Sequence, residues 1–498
     1  SELSREVRPV GAKAGEQPSS TCGPVSESIA KEAEMKPEYF ILTPEGELTP
    51  HAEFKFSPFQ KNLKKVVEYE TKKVRAYSQE PPHIKLMKEQ KLVDYEPGSD
   101  SGNFRWYPKG RLIKKLLERH ITSYCTDYGS VEVETPVMYD YEHPSLKKYM
   151  NRFPARQYVV KSDEKEFFLR FSACFGQFLM AHDMVFSYKD LPFRMYELTR
   201  YSFRREQSGE LAGLKRVRAL TMPDMHAFCA DLEQAKQEFE AQYYKALDWI
   251  AMLGIDYEVC FRIQKDFFEQ NREWYLNMVR KFGKPMFIEM FNERYAYFIT
   301  KFEFNFVDSL DKASALSTVQ IDVENADTYD INYVAADGSK KRPIITHASI
   351  SGSIERVVYA LLEQQAMRMK EGKPPMLPLW LSPTQVRVIP IADRHTEFAK
   401  EVAEQLELNS IRVDVDDRTE TLQKKIRDAE KEWVPFIIVM GDKEKDGKRF
   451  SVRIRGTKEQ KEMALEELTV LLRSKADRFP FEPLTLPKLL SKRPIFSG

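Results

Sequence analysis

The chain has 498 residues, 42% hydrophobic and 31% charged, with 77 Lys and Arg against 76 Asp and Glu for a formal net charge of +1. That length suggests about three domains at roughly 150 residues each. The balanced charge excludes a global basic field, so a nucleic-acid partner has to be read from local patches. The five cysteines (Cys22, Cys125, Cys174, Cys229 and Cys260) are dispersed, odd in number and without a CxxC, which argues against a disulfide framework and fits a reducing cytoplasm. No apolar run approaches a membrane span and no signal peptide opens the chain.

Residues 1–36 are rich in Ser, Glu, Gly and Ala, with Pro9, Pro18 and Pro24, and predict a flexible lead-in. Residues 37–48 read as a small hairpin with Pro-Glu-Gly at its turn, the start of a small extension over 37–80. Residues 80–102 read as a connector. After Pro108 the spacing of Leu112, Ile113, Leu116 and Leu117 predicts a helix with proline in its first turn. GSVEVETPVMYD (129–140) then reads as a strand ending at Pro136.

The stretch 193–229 reads as a strand over 197–203, a loop over 207–214 holding Ser208, Gly209 and Gly213, and a strand over 219–229. Arg204, Arg205 and Glu206 stand at the loop's entry, and Lys215, Arg216 and Arg218 at its exit. Arginine forks suit phosphate oxygens, although charge alone favours a solvated basic hairpin.

A helix is expected over 231–253, capped by Gly254. Strands follow over 301–307 and 318–323. The lack of β-α alternation here predicts an antiparallel sheet with packed helices and excludes a Rossmann core. In IITHASISGSIERVVY (344–359) a helix starts near Ser353, because Ile354, Val357, Val358 and Leu361 repeat at helical spacing. Arg356 lies in its first turn, which is unfavourable unless an anion faces it.

A proline-rich boundary (374–383) opens a region that does alternate. It has strand 386–389, helix 396–408, strand 411–415, helix 421–430, strands 436–440 and 450–454, and helix 458–472. This predicts an α/β domain with a mixed sheet. Arg453 and Arg455 alternate with Val452 and Ile454 on one strand face, where arginines can meet unpaired bases or simply be solvated. Residues 476–498, with four prolines, are expected to wrap over the surface.

In this order, 108–140, 193–229 and 344–359 resemble motifs 1, 2 and 3 of the class II aminoacyl-tRNA synthetases. Within that class the chain resembles the threonyl-tRNA synthetases of archaeal type. The resemblance runs from about Pro37 to Arg473 and is carried by LRFSACFGQF (169–178), RRE (204–206), RVRALTMPDMHAFC (216–229), TKFEF (300–304), STVQIDV (317–323), HASISGSIER (347–356), GDKE (441–444) and VRIRG (452–456). It implies a class II catalytic domain over 81–380, an anticodon-binding domain over 381–475, a tail over 476–498, and a homodimer formed through 108–140. It also implies a threonine–tRNA ligase: ATP activates threonine to threonyl-adenylate, which passes to the 3′ end of threonine tRNA.

By the same resemblance, Arg204 matches the motif 2 arginine on the α-phosphate and Arg356 the motif 3 arginine that covers the adenine and reaches the phosphates. Glu206 matches the acid that reads the adenine amino group, Arg216 the residue at the terminal phosphate, and Lys301 a basic residue near the reacting carboxylate. Magnesium is expected on the phosphates of ATP. Leu220 stands where the family commonly has an aromatic platform under adenine. Cys174, His226 and His347 match three zinc ligands that leave coordination open for the amino and hydroxyl groups of threonine. Asp224 is suited to the ammonium group, and Gln320 and Phe298 align near the substrate. Glu444 and Arg453 match positions that meet anticodon bases.

A zinc site of this kind rejects valine, which lacks the hydroxyl, but separates serine by only about 10–200-fold, the usual yield of one methyl group. The archaeal-type family usually carries an N-terminal editing domain. Residues 1–9 look like the tail of one, so this chain is expected to make seryl-tRNA and not remove it. Two alternatives remain: a catalytically altered paralogue that binds RNA as a regulator, and a ligase for proline, serine or glycine. The intact Arg204, Glu206, Arg356 and zinc trio weigh against the first, and the zinc trio against the second.

Overall fold

The computed structural model describes residues 34–73, 77–150, 157–204, 206 and 211–496. Most of the expected lead-in, and Arg205, Ser208 and Gly209 of the loop, lie outside the described residues.

Ten strands build the central sheet: β1 (Glu38–Leu42), β2 (Leu48–Pro50), β3 (Val131–Glu132), β4 (Phe193–Phe203), β5 (Ala219–Cys229), β6 (Glu258–Gln264), β7 (Met286–Phe291), β8 (Phe298–Val307), β9 (Ala313–Asp322) and β10 (Ile344–Ser349). Their order is β2-β1-β7-β6-β8-β9-β10-β5-β4-β3. Neighbours are antiparallel except β6–β7 and β3–β4. The long central strands alternate, so one face carries Phe261, Phe302, Val319, Ala348 and Met225 in register across five strands, all buried. A helix, Leu232–Leu253, covers that face; Phe239 and Tyr243 meet the ring of Phe302 edge-on at 5.3 and 5.2 Å. Asp231 caps its first turn and Gly254, left-handed, ends it. On the opposite face the helix Lys61–Lys72 packs on Ile41, Cys260 and Phe287, and the rest is left for polar side chains.

Further helices flank the sheet: α1 (Lys61–Lys72), α2 (Pro82–Glu89), α3 (Pro108–Asp127), α4 (Cys174–Asp183), α5 (Leu232–Leu253) and α6 (Ile354–Lys370). The apolar stripe expected on α3 is buried: Leu112, Ile113, Leu116 and Leu117 are at most 5% exposed. Ser353 caps α6 by accepting from the Arg356 N–H at 3.2 Å. Before it, Gly352 has φ +75°, and a Cβ there would lie 2.3 Å from the Leu316 carbonyl oxygen, so only glycine fits.

Around the central sheet three expectations need correction. The 37–48 hairpin forms, but β1 also pairs with β7, so it is the edge of the central sheet rather than part of a separate extension. The 80–102 segment is not a bare connector; it holds α2 and a short strand, Val93–Tyr95. The strand expected over 129–136 shrinks to β3, which has one neighbour, β4. The chain then enters a different, three-stranded sheet at Met138–Asp140. Pro136 cannot donate to a ladder, and Val131, Val137 and Met138 are exposed.

The C-terminal sheet has strands β11 (Val386–Pro390), β12 (Val413–Val415), β13 (Phe436–Met440), β14 (Arg449–Ile454) and β15 (Glu459–Ala464), in the order β12-β11-β13-β14-β15. The first three are parallel and the last two antiparallel, giving the mixed sheet expected. Helices Thr396–Leu408 and Leu422–Lys431 stand as anticipated. The helix expected over 458–472 does not: β15 occupies its first half, and the helix runs Leu465–Ala476. EQKEMA has good helix formers, but pairing along β14 outweighs that weak preference. Its exposed charges suit a sheet edge. Arg455 accordingly follows β14 instead of lying within it.

The tail does pack. Phe479 stacks on Trp380 at 4.7 Å, and Glu482 binds Lys115 at 2.7 Å and also Arg119, both on α3. Among the described residues no helix is long and apolar enough to cross a membrane.

Candidate active site

Register alone builds a polar row across the open face of the central sheet. Glu289 on β7 faces Arg262 on β6, Arg262 faces Lys301 on β8, Lys301 faces Gln320 on β9, Gln320 faces His347 on β10, and His347 faces His226 on β5. Directly opposed residues share a face, so six polar side chains from six strands line one side of a sheet whose other side is aromatic and aliphatic.

At one end of the row the three expected metal ligands meet. His226 Nε2 lies 3.2 Å from His347 Nδ1 and 3.3 Å from Cys174 Sγ, and Cys174 Sγ lies 3.5 Å from His347 Nδ1. Cys174 arrives from the first turn of α4. These three are the group among the described residues able to hold a metal ion. Zinc with bonds of about 2.0–2.1 Å to nitrogen and 2.3 Å to sulfur spaces tetrahedral ligands by about 3.3–3.6 Å, so the residues present fit it.

The outer partners point the same way. His226 Nδ1 meets Gln177 Oε1 at 2.8 Å, and His347 Nε2 meets Asp322 Oδ2 at 2.6 Å. Each ring therefore turns its other nitrogen toward Cys174, which is how outer carboxylates and amides orient metal-binding imidazoles. Asp322 is itself fixed by the backbone N–H groups of Glu324 and Asn325 and by the Asn325 amide. Burial, with His347 beside it, pushes the His226 imidazole well below its ordinary range. For His347 burial acts downward, but the Cys174 sulfur and Asp322 outweigh it and raise the imidazole to about 10.

Asp224 stands two residues before His226 on β5, opposite Glu197. Burial, opposed by His347 and reinforced by Glu197, pushes its carboxyl up to about 6. Gln320 accepts a hydrogen bond from the Tyr297 hydroxyl, and the Tyr297 ring lies 5.1 Å from that of His347. Phe298 begins β8 opposite Asp322, with its ring 5.7 Å from that of Tyr297. Tyr297, Gln177 and Asp322 were not singled out from the sequence. Gln177 is one helical turn from Cys174, and Asp322 is two residues from Gln320 on the same strand face; those spacings are the signals that could have found them.

The second cluster is cationic. Arg356 is half-buried, and its side chain donates to the carbonyls of Lys215 and Ala315, both at 2.9 Å. Burial, then the charges of Arg216 and Arg204, push its guanidinium below its ordinary range. Arg204 Nε donates to the Phe171 carbonyl at 3.3 Å. Three arginines from three segments thus crowd one space, which favours an anion there. Glu206 is buried, and its carbonyl accepts from Arg218 Nε at 2.9 Å and Nη2 at 2.6 Å. Lys301 pairs with Glu303 at 2.7 Å. Burial would raise the Glu303 carboxyl, but Lys301 and Arg262 hold it down at about 2. Leu220 is half-buried at a register shift between β4 and β5.

Glu444 and Arg453 lie in the C-terminal domain, away from this face. Arg453 is opposite Ile437, near the start of β13, and is 3.5 Å from Glu430. Glu444 follows the end of β13 and accepts from the Gly441 N–H at 2.9 Å. Arg453 and Arg455 both line a cleft of about 920 Å³ shared with Leu86, Gln90 and Trp433.

Comparison with known proteins agrees with these features. The family model for the tRNA synthetase class II core domain (G, H, P, S and T) matches residues 158–365, and that for the anticodon binding domain matches 385–475. The chain is 56% identical to a threonine–tRNA ligase of Pyrococcus horikoshii, over 100% of this chain and 79% of the relative. It is 53% identical to one of Methanosarcina barkeri, with the same coverage. Among solved structures it is similar to the RNA binding domain of threonyl-tRNA synthetase from Cryptosporidium parvum (TM-score 0.69, 25% identity, 80% of this chain and 99% of that one). It also shares its fold with prolyl-tRNA synthetase of the same organism (TM-score 0.63, 14% identity, 86% and 81%).

Proposed function

Because the chain belongs to the threonine–tRNA ligase family of class II synthetases, and is therefore an enzyme that uses ATP to join threonine to tRNA, we propose that the polar row and the arginine cluster are the two halves of its active site. Threonine lies over His226, His347 and Gln320, and ATP lies against Arg204, Arg216 and Arg356 with its magnesium. The threonine carboxylate attacks the α-phosphorus, the bond to the bridging oxygen breaks, and pyrophosphate leaves. Two anions must meet, so charge neutralisation and positioning carry the step.

Arg204 and Arg356 face the charge that builds on the α-phosphate, and Arg216 the terminal phosphate. Lys301, next in register to Gln320, draws in the carboxylate. Glu206 reads the adenine amino group and Leu220 gives an apolar platform beneath it. Asp224 holds the ammonium, with Phe298 and Tyr297 closing that end. Cys174, His226 and His347 would hold zinc, which supplies Lewis-acid positions for the amino and hydroxyl groups. A terminal ribose hydroxyl of the tRNA then attacks the adenylate carbonyl, and AMP leaves.

The chain is divided as 38–380 for catalysis, because β1 and β2 belong to the central sheet, and 381–475 for the anticodon, where Glu444 and Arg453 meet bases. The exposed Val131, Val137 and Met138 support a homodimer through 108–140. The proposed setting is the cytoplasm.

The observation that carries this reading is the approach of Cys174, His226 and His347 within 3.5 Å at the end of the row, with both imidazoles oriented from behind. Its test is metal analysis with ATP–pyrophosphate exchange on threonine, valine, serine and proline. We expect about one zinc per chain, exchange with threonine and weakly with serine, and loss of both zinc and exchange in Cys174→Ala. Full threonine-dependent exchange by metal-free protein would overturn it, as would the absence of exchange with all four amino acids, the result a non-catalytic RNA-binding regulator would give.

A further inference from the structure

The loop that carries Arg216 is gripped from behind by a buried network that none of the roles above uses. The Leu214 N–H donates to His83 Nε2 at 3.0 Å. His83 on α2 is fully buried, and its Nδ1 meets Glu363 Oε1 at 2.8 Å. Nε2 has to offer a lone pair to Leu214, so the ring proton sits on Nδ1 and is donated to Glu363. Glu363 lies on α6, two turns beyond Arg356. Gly213 leaves no room beside this contact: it has φ +50°, and a Cβ would fall 2.3 Å from His83 Nε2.

One residue on, Lys215 is held separately. Its ammonium donates to the Tyr77 hydroxyl at 2.7 Å and lies 4.8 and 5.5 Å from the ring centres of Tyr77 and Tyr69. Tyr77 donates to Asp308 at 2.6 Å, and Tyr359 of α6 donates to the same oxygen at 2.9 Å. Tyr359 meets His83 edge-on at 4.8 Å, closing the ring of contacts. Burial, opposed by Asp308 and reinforced by Arg356 and Arg216, pushes the Lys215 ammonium down to about 7. Placing a cation there is costly, so its fixed position calls for a reason. The Lys215 carbonyl supplies one: it accepts from Arg356 Nε at 2.9 Å.

We propose that His83 and Tyr77 are positioning residues for ATP: by fixing Leu214 and Lys215 they present Arg216 and Arg356 together to the triphosphate. This rests on the reading that those arginines bind its phosphates. A Gly-containing loop otherwise has to be ordered by the ligand at a cost in affinity. His83 ties that loop to the very helix that carries Arg356, so both phosphate-facing arginines share one support.

The test uses four variants of the whole chain: His83→Ala, His83→Gln, Tyr77→Phe and Arg216→Ala. For each, ATP and threonine KM are measured by pyrophosphate exchange, together with the Kd of a non-hydrolysable threonyl-adenylate analogue, which lacks the β- and γ-phosphates. His83→Ala leaves a buried N–H without its acceptor and is expected to raise the ATP KM about 10-fold. Tyr77→Phe is expected to raise it less. Both should leave threonine KM within about twofold and weaken the analogue less than ATP, because the analogue keeps the group that Arg356 faces but not the phosphates that Arg216 faces. His83→Gln, whose amide oxygen can accept from Leu214, should recover most of the loss. An unchanged ATP KM in both His83→Ala and Tyr77→Phe overturns the proposal, as does an equal loss for ATP, threonine and analogue. If His83→Ala fails to fold, the near-isosteric Tyr77→Phe decides. If Arg216→Ala leaves the ATP KM unchanged, the phosphate reading fails; if it raises the KM and the other two variants do not, only the positioning role fails.

Discussion

Arg356 beside the central sheet is half-buried and Arg387 in the C-terminal sheet is fully buried, and they are held in opposite ways. Arg387 makes two hydrogen bonds to Asp414, at 2.8 and 3.0 Å, and two to Glu432, at 3.0 and 2.8 Å. Against the cost of burial, those carboxylates push its guanidinium well above its ordinary range. Arg356 makes its side-chain bonds to carbonyls, and the charges that weigh most on it are two further arginines. Buried charge that is fully paired within the chain holds a fold in one arrangement. Charge crowded by like charge leaves a field for a ligand to complete. Glu432 also bonds Lys109 of α3 at 2.6 Å, so the paired cluster additionally fastens the C-terminal domain to the catalytic one.

The sharpest break of that contrast is Arg387→Ala. It takes the main partner from the buried Asp414, which keeps Arg493 at 2.9 Å, and from the half-buried Glu432, which keeps Lys109, so it is expected to cost about 3 kcal/mol of stability, the low end for breaking a buried pair, read by chemical denaturation; a loss near zero would show that the pairing carries no structural role. Next comes Arg356→Ala, expected to slow single-turnover adenylate formation about 10²–10³-fold, the usual effect of losing one preorganised donor to developing charge. An unchanged rate would remove Arg356 from the chemistry. Asp322→Ala is smaller: releasing His347 from behind should weaken zinc retention about 10–100-fold in a chelator competition, with the fold intact, and full retention would contradict the outer-partner role. The mildest is Arg453→Ala. It is expected to cost tRNA charging about 1–3 kcal/mol for one base contact while leaving threonine activation alone, and equal loss in both assays would mark a folding defect.

What could be read from the chain follows the same division. The strands over 219–229 and 436–440 and the capped helix starting at Ser353 were legible, because alternation and capping are local signals; the Cys174, His226 and His347 trio, with members 52 and 121 residues apart, was legible only through the family resemblance. The polar row was not. It depends on which residue of β8 faces which residue of β9 and β10, and register is set by strand partners distant in sequence. Tyr297 and His83 escaped for that reason: each acts on a residue far along the chain, Gln320 and Leu214 for hydrogen bonding and His347 and Tyr359 for ring contact. The mistaken helix at 458–464 shows the converse, since local preference there is helical and a neighbouring strand decides otherwise.

The central claim is that the arginine cluster is completed by ATP, whereas the C-terminal cluster is complete in itself. Chemical denaturation of the wild-type chain, Arg356→Ala and Arg387→Ala, each with and without magnesium–ATP, tests it most directly. Without ATP, Arg356→Ala should match the wild type within about 1 kcal/mol, lost carbonyl bonds being offset by relieved repulsion. ATP at a hundred times its wild-type Kd should stabilise the wild type by about 2.7 kcal/mol and Arg356→Ala by much less, while Arg387→Ala keeps the full ATP shift from a lower baseline. An Arg356→Ala protein that is as destabilised as Arg387→Ala and still gains the full ATP shift would contradict the account.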